Sequence, residues 1–214
     1  MTTEVPRMIT EKSTRKENPT LLINKTLKQY SDILQSDAPT PGGGSALAYA
    51  GTLAVALIGM AVNVTKTKLC KKNLYDNGAE DLLKKLRQLE EKMCDFVDKD
   101  TVAFANILAA MRMPKDTPQQ AESRKAELQR QYYRSALLSL DMMKTAVEIY
   151  LAADDAIQFA DRFVVSDAHI GKSLAKCVAQ NCTHNVDVNA DCIFDTSKRQ
   201  AIRNRKNTLL SQLN

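Results

Sequence analysis

An all-α fold is predicted by three features of this 214-residue sequence: Trp is absent and aromatics make up only 5%, Ala, Leu, Met, Lys, Glu and Gln are plentiful, and apolar residues recur at three-and-four spacing. Straight side chains lose little rotamer freedom in a helix, and no segment alternates with the period of a strand. The length fits one domain with a substantial interior. The expected organisation is a flexible tail over residues 1–18, followed over 19–214 by an antiparallel bundle of about six helices. The tail carries charges throughout and has no apolar run of signal-peptide length, so secretion is not expected and a cytoplasmic location is.

The first helix is expected from about Leu21 to Gln35, with Leu27, Tyr30 and Leu34 on one side. The turn DAPTPGGG ends it. Ser45 can then cap a second helix running to about Lys68, where Ala46, Ala50, Ala54, Gly59 and Ala61 permit close helix approach. No residue from Ala38 to Thr65 is charged, but Ala, Gly, Thr and Ser dominate the segment, so a core helix buried by its neighbours is expected rather than a membrane span.

The third helix has the cleanest stripe: Leu82, Leu86, Leu89, Met93, Phe96, then Phe104, Ile107 and Met111. One inward step of that stripe falls at Asp100 or the adjacent Thr101, while Asp98 points away. Thr117, Pro118 and Gln120 form a capping signal for a fourth helix to about Ala153. A short apolar segment, AIQFADRFVV, leads to Ser166, a candidate cap for a helix with Ile170, Leu174 and Cys177 inward, whose stripe turns polar through Asn181 and Asn185 before Val188. A last helix is expected from about Asp191 to Leu213, with Lys198, Arg199, Arg203, Arg205 and Lys206 on a basic face that is ordinarily solvated.

The formal charge of +5 suits an anionic small molecule, and with neither a recognised motif nor a stacking platform of aromatics nucleic acid is not an expected partner. The odd number of cysteines, five without a CxxC pair, favours reduced structural thiols. His169 and His184 do not share a helical face, and no metal site is expected.

Three constellations could carry chemistry. Gly42, Gly43, Gly44 and Ser45 stand before a helix, where free N–H groups could receive a carboxylate or phosphate, or simply form a turn before a tightly packed helix. Asp100 on an apolar stripe is either a desolvated general acid/base or a buried carboxylate satisfied by a cation or a helix end. Asn185 and Asn189, one turn apart, could hold a polar ligand or tie neighbouring helices together.

The run PTPGGGSALAYAGTLAVALIGMAVNVT, followed in order by VDKDTVAF, MRMPKDTP, SDAHIG and NVDVN, resembles the formiminotetrahydrofolate cyclodeaminase and methenyltetrahydrofolate cyclohydrolase family. These segments span nearly the whole chain after the tail. The resemblance implies a homodimer that binds a tetrahydrofolate derivative, with or without a polyglutamate tail, near its subunit interface, and that acts on the N5/N10 one-carbon bridge without metal or redox cofactor. It assigns the proton transfer to Asp100, and places Gly42, Gly43, Gly44, Ser45, Asp167, Asn185 and Asn189 around the substrate. The alternative is a dimer of the same fold that binds folate or a partner without catalysis. The sequence departs from the family pattern at Ser139, Ala160, Asp161 and Asp187.

Overall fold

The computed structural model describes residues 21–72 and 77–213; the expected tail lies outside the described residues. Within them the chain forms six α-helices: α1 (Leu27–Leu34), α2 (Gly43–Cys70), α3 (Asn77–Met111), α4 (Pro118–Phe159), α5 (Val165–Asp191) and α6 (Thr196–Leu210). Two 3-10 turns, Leu22–Asn24 and Ser211–Leu213, flank them, and no strand occurs among the described residues.

The first expected helix is split in two. Thr26 accepts a hydrogen bond from the Gln29 N–H and the Gln29 side-chain oxygen accepts one from the Thr26 N–H, so a capping box starts α1 six residues late. Only Tyr30 of its expected stripe is buried; Leu27 and Leu34 are exposed. The Leu22–Asn24 turn is held by Asp98, whose carboxylate accepts from the N–H groups of Leu22 (2.7 Å) and Ile23 (3.3 Å). Asp98 thus points away from the apolar stripe, and it does so to fasten the chain's entry to α3.

Thr117, Pro118 and Gln120 start α4 as the capping pattern requires, but the helix runs on to Phe159 and absorbs the first four residues of the short apolar segment. Ser166 does not cap α5, which begins one residue earlier behind Val164. The phase of α5 also differs from the expected one. Its buried row is Ala168, Gly171, Ala175, Val178, Ala179, Cys182, Val186 and Ala190, whereas Ile170, Cys177 and Val188 lie outside. Alanines and one glycine face inward because α2 crosses too closely for larger side chains. A Cβ on Gly171 would stand 2.7 Å from Ile58 Cγ1 and 2.8 Å from the Ala54 carbonyl oxygen. Since that oxygen is backbone, Gly171→Ala should destabilise the fold by about 1–3 kcal/mol, read as a lowered Tm; an unchanged Tm would show that the crossing is looser.

The main core joins α2, α3, α4 and α5 through Ile58, Leu86, Met93, Met143, Ile149 and Val178, and a smaller core of Leu140, Val186, Ile193 and Ile202 seats α6. α2 is less enclosed than expected. It is the one helix among the described residues long and apolar enough to cross a membrane, and 44% of its most apolar window is buried, leaving Leu53 and Met60 on an open flank.

The departures from the family pattern have local partners. Ser139 Oγ donates back to the Ser135 carbonyl inside α4. The Asp161 carboxylate pairs with Lys68 at 2.8 Å and accepts from the Phe163 N–H, and these contacts hold its carboxyl below the usual range. Asp187 pairs with Lys206 of α6 at 2.5 Å, turned away from the asparagines on either side of it.

Candidate active site

The turn Pro39–Gly42 delivers α2 with its N-terminus pointing at the middle of α3. Gly42 is the N-cap, three residues before the expected Ser45, and it has no side chain with which to cap. The missing cap comes from α3 instead: the Ser45 N–H donates to Asp100 Oδ2 at 3.0 Å. Gly44 permits this approach. A Cβ there would lie 2.5 Å from Asp100 Cγ and 2.7 Å from Oδ2, and closer still to Oδ1.

Two opposing influences act on Asp100. Burial disfavours its charge and dominates, while the Ser45 N–H favours it, so the carboxyl titrates above the ordinary aspartate range. The neighbouring Cys182 thiol, enclosed by α5 and by the field of Asp100, is pushed up to about 12 and stays protonated.

Ser45 does not present its hydroxyl to the cleft. It is fully buried, accepts from Tyr30 Oη (2.9 Å) and donates to the Val97 carbonyl (2.8 Å), locking α1, α2 and α3 together one turn before Asp100. Tyr30 also stacks on Tyr49 with ring centroids 5.0 Å apart, and its burial raises the phenol above its ordinary value. Ser45 therefore contributes its backbone and its packing, and the expectation that its side chain caps α2 or meets a ligand is corrected.

Asp100 opens onto a cleft of about 450 Å³. Gly42, Gly43 and Gly44 form one wall, and a Cβ on Gly42 or Gly43 would enter open space. Phe104, Ile107 and Met111 of α3 form a second, apolar wall; Tyr132 and Ser135 of α4 close the back; His184, Asn185, Val188 and Asn189 of α5 form the third side, with Cys192 beyond them. The Asn189 side-chain amide donates to the Asn185 carbonyl at 2.8 Å, which fixes its orientation and leaves its oxygen as an acceptor.

The structure thus brings Gly42, Gly43, Gly44, Asp100, Asn185 and Asn189 to one cleft. Asp167 is not among them. It stands in the first turn of α5, eighteen residues before Asn185, hence about 27 Å away along the helix. Phe104 and Met111, read from the sequence as core, are 41% and 43% exposed and line the cleft, because the stripe of α3 outruns the core that covers its first half. Tyr132, Ser135 and His184 carry no periodic signal and became visible only through the packing of α4 on α5. Cations of the expected basic face are mostly neutralised: Lys198, Arg203, Arg205 and Lys206 pair with Asp195, Asp191, Asp141 and Asp187.

The six-helix bundle thus places a half-buried carboxyl group, a helix start and a pair of amides around one cleft. The profile of the formiminotransferase-cyclodeaminase family matches residues 26–208, and the chain belongs to that family. It is 29% identical over 174 residues to a methenyltetrahydrofolate cyclohydrolase of Methylorubrum extorquens, covering 80% of this chain and 82% of that one. It is 24% identical over 191 residues to the formimidoyltransferase-cyclodeaminase of Rattus norvegicus, covering 89% of this chain and only 35% of that longer protein. The crystal structure of formiminotetrahydrofolate cyclodeaminase from Thermotoga maritima has the same fold, with a TM-score of 0.75 at 22% identity, over 89% of this chain and 90% of that one.

Proposed function

We propose that the chain is a folate one-carbon enzyme acting on the N5/N10 bridge of a tetrahydrofolate derivative, with Asp100 as its general acid/base. The observation that carries this reading is the placement of Asp100: a desolvated carboxyl group at a helix start, opening onto a cleft with one apolar wall and two amides. The apolar wall of Phe104, Ile107 and Met111 suits the flat rings of a folate, and Asn185 and Asn189 suit their polar edges.

Two reactions fit. As a cyclohydrolase, the Asp100 carboxylate takes a proton from water as the water oxygen bonds to the bridge carbon; the bond from that carbon to one folate nitrogen then breaks, Asp100 returning its proton to that nitrogen while the added hydroxyl loses its own to solvent and becomes the formyl oxygen. As a cyclodeaminase, N10 attacks the formimino carbon, the carbon–nitrogen bond to the imino nitrogen breaks, and protonated Asp100 supplies the proton with which ammonia departs. Neither requires a metal or redox cofactor. Both are served by a carboxyl group whose pKa is moved toward neutrality.

The enzyme acts as a homodimer, a reading supported by the open apolar flank of α2. A polyglutamate tail leaves the cleft past Met111, where Arg112 and Arg124 lie, the latter donating to the Met111 carbonyl at 3.1 Å. The deciding experiment offers the purified full chain methenyl- and 5-formimino-tetrahydrofolate in turn. Disappearance of the methenyl chromophore or release of ammonia is expected; tight binding without either would select the non-catalytic alternative. The pH profile separates the two chemistries. Rate should rise with pH through the raised Asp100 pKa if the carboxylate is the base, and fall through it if the acid form is required. A flat profile across that range would remove Asp100 from the rate-limiting proton transfer.

A further inference from the structure

Both reactions described above move two protons, and Asp100 can hold only one at a time. Hydration of the cationic methenyl bridge turns a water into a formyl oxygen and sets one proton free. At the moment Asp100 gives its proton to the departing nitrogen, the hydroxyl of the adduct must lose its own. In the cyclodeaminase reaction N10 must shed a proton as it bonds to the formimino carbon, while protonated Asp100 serves the departing ammonia. Each case calls for a second group that takes a proton and exchanges it with solvent.

Among the described residues four titratable side chains line the cleft: Asp100 from α3, Tyr132 from α4, His184 from α5 and Cys192 just past it. The α2 wall of glycines brings none. Burial pushes the Tyr132 phenol above its ordinary value, and the Cys192 thiol beside it adds to the shift, so the phenol keeps its proton near neutral pH. Asp187 and Asp191 of α5 are paired with Lys206 and Arg203 of α6. Imidazole is the side chain that ordinarily both gives and takes a proton between about pH 5 and 8.

The neighbours of His184 on α5 are engaged: Asn181 donates to the Cys177 carbonyl at 2.8 Å, Thr183 to the Gln180 carbonyl at 2.6 Å, and Asn189 to the Asn185 carbonyl. The imidazole of His184 has neither hydrogen bond nor ion pair among the described residues, so its nitrogens are left for what enters the cleft. His184 is exposed in the chain, whereas Asp100 is half-buried. The charge of Asp100 is felt by the Cys182 thiol, so α5 passes Asp100 at Cys182. His184 lies two residues on, about 3 Å further along the axis and just over half a turn round it. Its ring therefore meets the cleft at the outer rim, across the opening from Asp100, and the space between them can take the one-carbon bridge.

Resting on the folate reading above, we propose that His184 is a second catalytic residue of this cleft, whose unprotonated ring nitrogen takes the proton that leaves the reacting atoms and passes it to solvent. In the cyclohydrolase reaction the O–H bond of the adduct breaks toward His184 as the carbon–oxygen double bond forms and the carbon–nitrogen bond breaks, and that nitrogen takes its proton from Asp100. In the cyclodeaminase reaction the N10–H bond breaks toward His184 as N10 bonds to the formimino carbon. Either way His184 becomes an imidazolium, returns to its neutral form by giving the proton to water, and leaves Asp100 free for the other transfer.

The test measures the purified full chain with methenyl- and 5-formimino-tetrahydrofolate between pH 5 and 9. His184→Gln removes the titrating group and keeps a polar side chain, so kcat should fall roughly a hundredfold while KM changes by about twofold or less. The wild-type rate profile should have two limbs, one from each group, and His184→Gln should keep the limb of Asp100 and lose the other. His184→Ala should be equally slow and regain roughly tenfold in free imidazole, a rescue that Asp100→Asn should not show. Loss of the limb or rescue by imidazole supports the assignment. A His184→Gln enzyme with the wild-type kcat, or slowed variants that keep both limbs and gain nothing from imidazole, would make His184 a wall of the cleft and overturn it. A wild-type chain that turned over neither folate would sink the folate reading and this role together, whereas the outcomes above, read on an active wild type, judge His184 alone.

Discussion

Asp100→Asn should lower turnover by a hundredfold or more, the usual scale for removal of a general acid/base, and should at the same time raise thermal stability at neutral pH. The two effects share one cause. Burial holds the folded-state pKa of Asp100 above its unfolded value. Below the unfolded value the carboxyl is neutral in both states. As pH rises between the two values the unfolded chain releases its proton first and stability falls, and above the folded value the cost of the buried charge is complete. Asparagine removes the charge and can still accept from the Ser45 N–H, so the gain in Tm should be present at pH 7 and shrink toward pH 4. Differential scanning calorimetry at both pH values, with single-turnover rates on the same samples, makes the comparison. A variant with full activity, or one equally destabilised at both pH values, would make Asp100 a structural cap and no more. Asp98→Asn supplies the contrast. Its carboxylate accepts from two N–H groups of the Leu22–Asn24 turn, so this variant should keep its turnover and lose roughly 1–2 kcal/mol of stability.

Gly44→Ala is expected to have the second largest effect on catalysis. The new Cβ would occupy space that the Asp100 carboxyl group now fills, with Cγ only 2.5 Å away. The carboxyl must rotate out of its hydrogen bond with the Ser45 N–H or the start of α2 must lift. A displacement on the order of 1 Å at a reacting group can cost about a hundredfold in rate. Stability should fall by about 1–3 kcal/mol if the helix gives way and hardly at all if the carboxyl does. Repeating the change in an Asp100→Ala background isolates the contact, because there the three atoms nearest the added methyl group are gone. The stability change should then vanish; if it persisted, the strain would lie in the turn rather than against Asp100. Gly43→Ala, whose Cβ would have nothing within 4 Å in the protein, should leave stability unchanged and report only on what enters the cleft.

Much of this protein was determined by the sequence alone. Helical periodicity, the capping box at Thr117 and the ordered motifs specified an all-α bundle of the right family, since these are local properties of spacing and backbone hydrogen bonding that need no neighbour to be read. The singular position of Asp100 was legible for the same reason: an acid on an apolar stripe contradicts its own helix. Tertiary packing decided everything that depends on which element covers which. It buried the Ser45 hydroxyl between Tyr30 and Val97 and left only its N–H for Asp100. The same packing moved Phe104 and Met111 from core to cleft, because α3 extends past the helices that cover it, and it rotated α5 so that small residues met α2 while Ile170, Cys177 and Val188 faced out. A hydrophobic stripe marks a surface that must be covered, but not whether an adjacent helix, a ligand or another subunit covers it, because apolar burial is non-directional and rewards each alike.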